Sequence, residues 1–255
     1  MALRIHLVAG FNGGSGRSLT AALLAYGLHL HSRRTLLVRQ SYAGSVSAID
    51  PIGATLPLPC CELSLPMPYE LPADLTAGLA TTIHDADARF MTALTNHATA
   101  EIGPDGDVVV DLCCHDRACN AATISDAAVI LVPARASMLE IDWAFRGFSH
   151  IRDTQRYRET QVPTLLAVIA PDSERDRQMA LLGAMLRDCD PDRDLMPGEP
   201  AEVMVQVPFL DGARLTSLLI GRPIWRDPQL IERCRAFAAA VAVRADAVPL
   251  ALPQR

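Results

Sequence analysis

The sequence predicts a single doubly wound α/β domain, with a mainly parallel sheet and helices on both of its faces. Three observations predict it. Strand-like and helix-like segments alternate along the chain. The strand-like segments are unbroken apolar runs such as IHLVA, DVVVDL and AAVILV, as suits strands buried on both faces. No internal repeat and no linker divides the 255 residues, half of which are hydrophobic. One large core is therefore expected over residues 1–248, with a tail at 249–255.

Each element follows from its local pattern. Leu3 to Ala9 reads as a short buried strand, and Gly10 to Gly16 as a turn. Arg17 to Leu30 reads as a helix with Leu19, Leu23, Leu24 and Leu28 on one side. Thr35 to Val38 is a second strand, completing a βαβ unit. Ser41 to Ala73 is rich in Pro and predicts an irregular excursion with a short strand near Cys61 to Leu63. Helical spacing returns from Ala73 to Ile102 through Leu75, Leu79, Ile83, Phe90 and Leu94. Strands are expected at Asp107–Leu112, Ala127–Val132, Pro163–Ile169 and Val203–Val207. A short helix or turn separates the first two of these, and helices are expected at Met138–Ile151 and Ser173–Arg187. Asp188 to Glu202 reads as a surface loop. The last helix starts at Asp227 as N-cap with Pro228 in its first turn, and buries Leu230, Cys234, Phe237 and Val241.

Composition narrows the function classes. The net charge of −6 and a pI near 5.6 disfavour tight nucleic-acid binding, which needs a basic footprint. The longest apolar run, Ala236 to Val243, is too short to span a membrane, and the N-terminus lacks a signal-peptide pattern, so the expected place is the cytoplasm. Seven Cys, with adjacent pairs at Cys60–Cys61 and Cys113–Cys114, do not form a disulfide framework and read as reduced thiols. No Lys occurs, and all 23 basic residues are Arg.

The stretch most suited to chemistry is Asn12 to Ser18, NGGSGRS, between the first strand and the first helix. Backbone N–H groups of Gly13, Gly14, Ser15 and Gly16 can converge on an anion there, and the following helix adds its positive end. In a phosphate loop a Lys after the last Gly reaches the outer phosphates, and the next Ser or Thr holds Mg²⁺. Ser18 supplies the hydroxyl, whereas Arg17 supplies charge in a longer planar fork. The Gly expected five residues before Gly16 is absent, since Phe11 stands there.

These residues resemble the deviant phosphate loop of the ParA/MinD family of ATPases, Lys-Gly-Gly-x-Gly-Lys-Ser/Thr, here Asn12-Gly13-Gly14-Ser15-Gly16-Arg17-Ser18. DVVVDL, with Asp111, resembles the family's second acidic strand end, which acts on Mg²⁺ through water. Ser125 to Ala144 resembles the next strand and helix, with Val132-Pro133 at the strand end. VMVQVPFLDGARLTSLLIGRPIWR resembles the late strand whose Pro208 leads into a nucleotide-base loop and a short helix ending near Gly221 to Ile224. Order and spacing agree over roughly residues 3 to 245. The resemblance implies a P-loop NTPase fold that binds ATP or ADP with Mg²⁺. Nucleotide contacts would come from Asn12, Gly13, Gly14, Ser15, Gly16, Arg17, Ser18, Leu19 and Pro208, and metal contacts from Ser18 and Asp111. It also implies a homodimer.

The departures carry most of the functional information. The family's first loop Lys reaches the partner's phosphate across a dimer, and Asn12 cannot supply that charge. The second Lys is Arg17. The family's second strand ends Val-Asp-x-Asp-Pro-Gln-Gly, its second Asp positioning the attacking water; here the chain reads Arg39-Gln40-Ser41, with Ser41 at that position. A serine carries no charge to act as a base or to hold the water. The expected function is therefore a ParA/MinD-like spatial-organisation or assembly protein with weakened or lost ATPase activity. It would be a scaffold or adaptor in a bacterial conjugation, polysaccharide-secretion or pilus apparatus, with a protein partner and recruitment to a membrane-associated complex.

Two other classes fit parts of the pattern. An active partition ATPase would bind DNA without sequence specificity. A phosphoryl-transfer or ligase enzyme of the same superfamily would need a pocket near the loop, for which His115, Asp116 and Arg135 are the candidates. Cys113, Cys114, His115 and Cys119 follow Asp111, but adjacent Cys residues seldom converge on one metal and no CxxC is present. Arg33-Arg34 and Arg152, Arg156 and Arg158 read as solvated faces. Phe145 and Phe148 read as core, and Trp143 as the residue of that helix free to face a partner.

Overall fold

Strands made of unbroken apolar runs need cover on both faces, and the chain supplies it by alternating helices with strands. A computed structural model describes residues 3–10, 14–42, 50–65, 76–112, 120–155, 161–188 and 203–246. The strands are β1 (Arg4–Val8), β2 (Thr35–Tyr42), β3 (Cys60–Leu65), β4 (Asp107–Asp111), β5 (Val129–Arg135), β6 (Thr164–Ile169) and β7 (Met204–Gln206). The helices are α1 (Arg17–Leu30), α2 (Asp50–Gly53), α3 (Thr76–Ile102), α4 (Ala121–Ser125), α5 (Met138–Gln155), α6 (Arg175–Asp188), α7 (Gly212–Leu219) and α8 (Pro228–Ala245). The strands form one sheet in the order β3-β2-β4-β1-β5-β6-β7. Every pairing is parallel.

Alternate residues of each strand feed two cores. Val8, Leu37, Val109 and Leu131 pack under α1, α7 and α8. Leu7, Val38, Val108, Val110 and Ile130 pack under α3, α4, α5 and α6. Burying a Leu, Val or Phe stabilises by about 1.5–3 kcal/mol, so two full layers of such residues hold the sheet between its helices.

Several elements differ from expectation. The second strand does not end at Val38 but runs on through Arg39, Gln40, Ser41 and Tyr42. Polar side chains are tolerated there because the backbone stays paired: Arg39 aligns with Asp111 of β4 and Glu62 of β3, and Gln40, Ser41 and Tyr42 align with Leu63, Ser64 and Leu65 of β3. The Pro-rich excursion accordingly contains a longer edge strand, β3, and the short helix α2. The first helix is also buried on more than one side. Thr20 to Leu28 are all buried, because α8 covers the face turned away from the sheet. Gly27 allows that contact: a Cβ there would lie 2.2 Å from the Cys234 backbone oxygen and 2.7 Å from Ala238 Cβ.

The final helix is as expected. Asp227 accepts from the Gln229 and Leu230 amides, and Leu230, Cys234, Phe237 and Val241 are buried. On α5, Ile141, Phe148 and Ile151 are core, Phe145 is half-buried, and Trp143 is 44% exposed. The side chains of Leu75, Leu79 and Ile83, and the loop at 189–202, lie outside the described residues.

Candidate functional site

Because all strands are parallel, the carboxyl ends of β1, β2, β4 and β5 open on one edge of the sheet, where helix N-termini also gather. The Gly-rich loop lies there, between β1 and α1. Asn12 and Gly13 lie outside the described residues. Gly14 and Gly16 adopt left-handed backbone at φ 79° and 86°, a conformation that favours glycine. Gly16 is the N-cap of α1, and the first helical bond runs from the Thr20 amide to the Gly16 carbonyl at 2.8 Å. Helix geometry leaves the amides ahead of Thr20 without an in-helix acceptor, so they form the positive end that an anion would meet. The Ser15 Oγ atom is buried without a protein partner. Leu19 is half-buried against the α1–α8 core.

Arg17 turns back beneath the loop. Its Nε donates to Asp111 Oδ1 at 3.0 Å, and its Nη1 donates to the Gly10 carbonyl at 2.8 Å. Ser18 Oγ donates to Asp111 Oδ2 at 2.6 Å. Asp111 is buried, so both of its oxygens are engaged by α1 side chains in a poorly hydrated place. The guanidinium thus ties Gly10, two residues past β1, to the end of β4. Gly10 leaves room for this closure, since a Cβ on it would stand 3.2 Å from Ser15 Oγ and 3.8 Å from Arg17 Cδ.

Arg135 at the end of β5 holds the outer side of the loop, its Nη1 donating to the Gly14 carbonyl at 2.9 Å. It also pairs with Glu140 at 3.3 Å. Glu140 is held by Ser137: its amide donates to Ser137 Oγ and its carboxylate accepts from that hydroxyl. Arg135 was a sequence candidate for a pocket near the loop; its bond to the Gly14 carbonyl is the detail that sequence did not supply.

Ser41 is fully buried within β2, its Oγ 3.0 Å from Ser64 Oγ. It lies one strand away from Asp111 and two residues beyond the level at which Arg39 aligns with it. Arg39 pairs with Glu62 at 4.0 Å. Gln40 points to the opposite face, where its Nε2 donates to Asn120 Oδ1 at 3.0 Å. Asn120 caps the short helix α4, whose Ala122 amide and Thr123 hydroxyl donate to the buried Asp87 of α3. These polar pairs also escaped sequence reading, because they join positions far apart in the chain. Pro208 is buried just past β7, at the same end of the sheet, three strands from β1. Cys113, Cys114, His115, Asp116 and Cys119 lie outside the described residues. Cys60 and Cys61 are half-buried, and burial pushes both thiols up to about 11, which makes them poor nucleophiles and metal ligands. Among the described residues no group of three His, Cys, Asp or Glu gathers to hold a metal ion.

The arrangement suits a phosphate group better than a divalent cation. Left-handed glycines, the α1 N-terminus and the unpartnered Ser15 hydroxyl form a cradle for anionic oxygen. Ser18 and Asp111 are hard oxygen donors of the kind Mg²⁺ takes. As placed, however, Asp111 accepts from a guanidinium on one oxygen and from Ser18 on the other. A divalent ion does not fit that pair unless Arg17 leaves it.

No family model matches this sequence, and no curated protein matches it. Solved structures do. An ATP complex of a Cyanothece McdA variant is 15% identical, with a TM-score of 0.55, over 94% of this chain and 96% of that one. A cobyrinic acid a,c-diamide synthase from Mycobacterium smegmatis with bound ADP and magnesium is 18% identical, with a TM-score of 0.52, over 100% of each chain. The pNOB8 ParA is 11% identical, with a TM-score of 0.51, over 96% of this chain and 99% of that one. The chain therefore has the P-loop ATPase fold of the ParA/MinD type.

Proposed function

We propose that this protein is a ParA/MinD-like spatial-organisation or assembly protein whose ATPase activity is weakened or lost. It acts as a homodimeric scaffold or adaptor for a protein partner in a bacterial conjugation, polysaccharide-secretion or pilus machine. The observation that carries this reading is Ser41: it is buried in β2 and hydrogen-bonded to Ser64, where water activation would need a carboxylate. Arg39, another residue of that strand end, is a cation paired with Glu62. The remaining acid, Asp111, is already bonded to Arg17 and Ser18. The described part of β2 itself, Thr35–Tyr42, carries no carboxylate.

Binding stands apart from turnover. The backbone cradle survives the side-chain changes, so ATP or ADP is the ligand we assign to the loop, with the nucleotide acting to order the structure. The test pairs calorimetric titration of the purified protein, with ATP and with ADP, with a phosphate-release assay over hours. Binding without release above a protein-free control is the expected result. Steady release would overturn the loss of activity, and release stimulated by DNA would restore the partition ATPase. Absence of binding would leave a nucleotide-free scaffold.

A further inference from the structure

In a phosphate loop the basic residue after the last Gly is there to face the ligand. Here that side chain is engaged by the protein itself. Among the described residues Arg17 bonds to the Asp111 carboxylate at 3.0 Å and to the Gly10 carbonyl at 2.8 Å, at the base of the loop. Its side chain is 19% exposed and that of Asp111 is 3% exposed, so water screens the pair little. Ser18 fills the other Asp111 oxygen at 2.6 Å. The carboxylate is thereby charge-compensated before any ligand arrives. A divalent ion brought to it, directly or through water, would meet the charge of the guanidinium. The mouth is organised separately: Arg135, half-exposed, holds the Gly14 carbonyl from the outside.

We infer that Arg17 is a built-in counter-ion for Asp111, and that the loop consequently takes a phosphate group without a divalent cation. This rests on the reading of the loop as a phosphate site. Arg17 acts as a positioning residue: it closes the loop from below and leaves ligand contact to the backbone amides and Arg135. Removing it should expose Asp111 and create a metal site that the natural chain lacks.

Two experiments separate this inference from the reading beneath it. The first uses no ligand. Thermal melts of the wild type, Arg17→Ala, Asp111→Asn and the double variant measure the coupling of the pair. The double variant is expected to melt no lower than the worse single variant. Additive losses would overturn the counter-ion role whatever the loop binds. The second titrates ADP by calorimetry in EDTA and in excess Mg²⁺, and follows bound Mn²⁺ by electron paramagnetic resonance. The wild type should bind ADP with affinities within about twofold in the two buffers and should retain no Mn²⁺. Arg17→Ala, or Arg17→Lys if Ala does not fold, should gain Mn²⁺ binding at least tenfold with ADP present. A wild type that needs Mg²⁺, or that holds Mn²⁺ as tightly as the variant, would overturn metal independence. If ADP does not bind under either condition, the phosphate reading falls, and the melts alone decide whether Arg17 serves Asp111.

Discussion

Arg17 and Asp107 show how single charges are settled in this molecule. Asp107 begins β4 at the end of the sheet away from the loop, where it is buried and accepts from His6 Nε2 at 2.7 Å and Arg33 Nε at 2.6 Å. Burial alone would raise its pKa, but the hydrogen bonds and charges of His6 and Arg33 outweigh it and hold the carboxyl below the usual carboxylate range. The folded value thus lies under the unfolded one of about 3.9, so its contribution is complete above that pH and is lost as pH falls through the folded value. Asp107→Asn leaves two buried donors facing a neutral group and is expected to cost about 3 kcal/mol at neutral pH. In urea titrations at a series of pH values, that gap to the wild type should narrow below about pH 4. A gap that stays constant down to acid unfolding would remove Asp107 from the balance.

At the scale of elements, the decisive contact is α1 on α8. The sequence pattern of α1 indicates one apolar side, through Leu19, Leu23, Leu24 and Leu28, and that side is present. The pattern does not reveal that Gly27 meets the α8 backbone at Cys234. A helix-interior Gly ordinarily costs stability relative to Ala, so its presence marks a close approach. Gly27→Ala should gain propensity yet lose more by forcing the helices apart, a net loss of roughly 1–3 kcal/mol. Chemical denaturation measures it, and a stabilised variant would refute the tight crossing. The length of β2 was hidden for a related reason. RQSY is polar and reads as loop, but pairing with β3 throughout, and with β4 at Arg39, keeps it extended, and those partners lie elsewhere in the chain.

For the whole molecule, the parallel order β3-β2-β4-β1-β5-β6-β7 brings the loop, Asp111, Ser41 and Arg135 to one edge. Net charge acts at this scale too. At −6, the protein presents no general attraction to phosphate backbones. Duplex DNA of mixed sequence should not be retained in a mobility-shift titration at about 150 mM salt, with or without ATP. Retention that falls steeply with added salt would count against the scaffold reading and favour partition. No described helix is long and apolar enough to cross a membrane.

Apolar runs, their alternation with helices, the glycines of the turn and the Asp227 cap were legible because each is a local property: burial on two faces, left-handed backbone and an unpaired amide all have one-residue or one-turn signatures. The direction of the Arg17 side chain was not. A flexible guanidinium pairs with whichever acceptors surround it, and Asp111 lies 94 residues away along the chain. The same holds for Ser41 with Ser64, Gln40 with Asn120 and Arg135 with Gly14. Residue types set what each position could do; register and strand order, which arise only when distant segments pair, selected the partner and with it the chemistry left to the site.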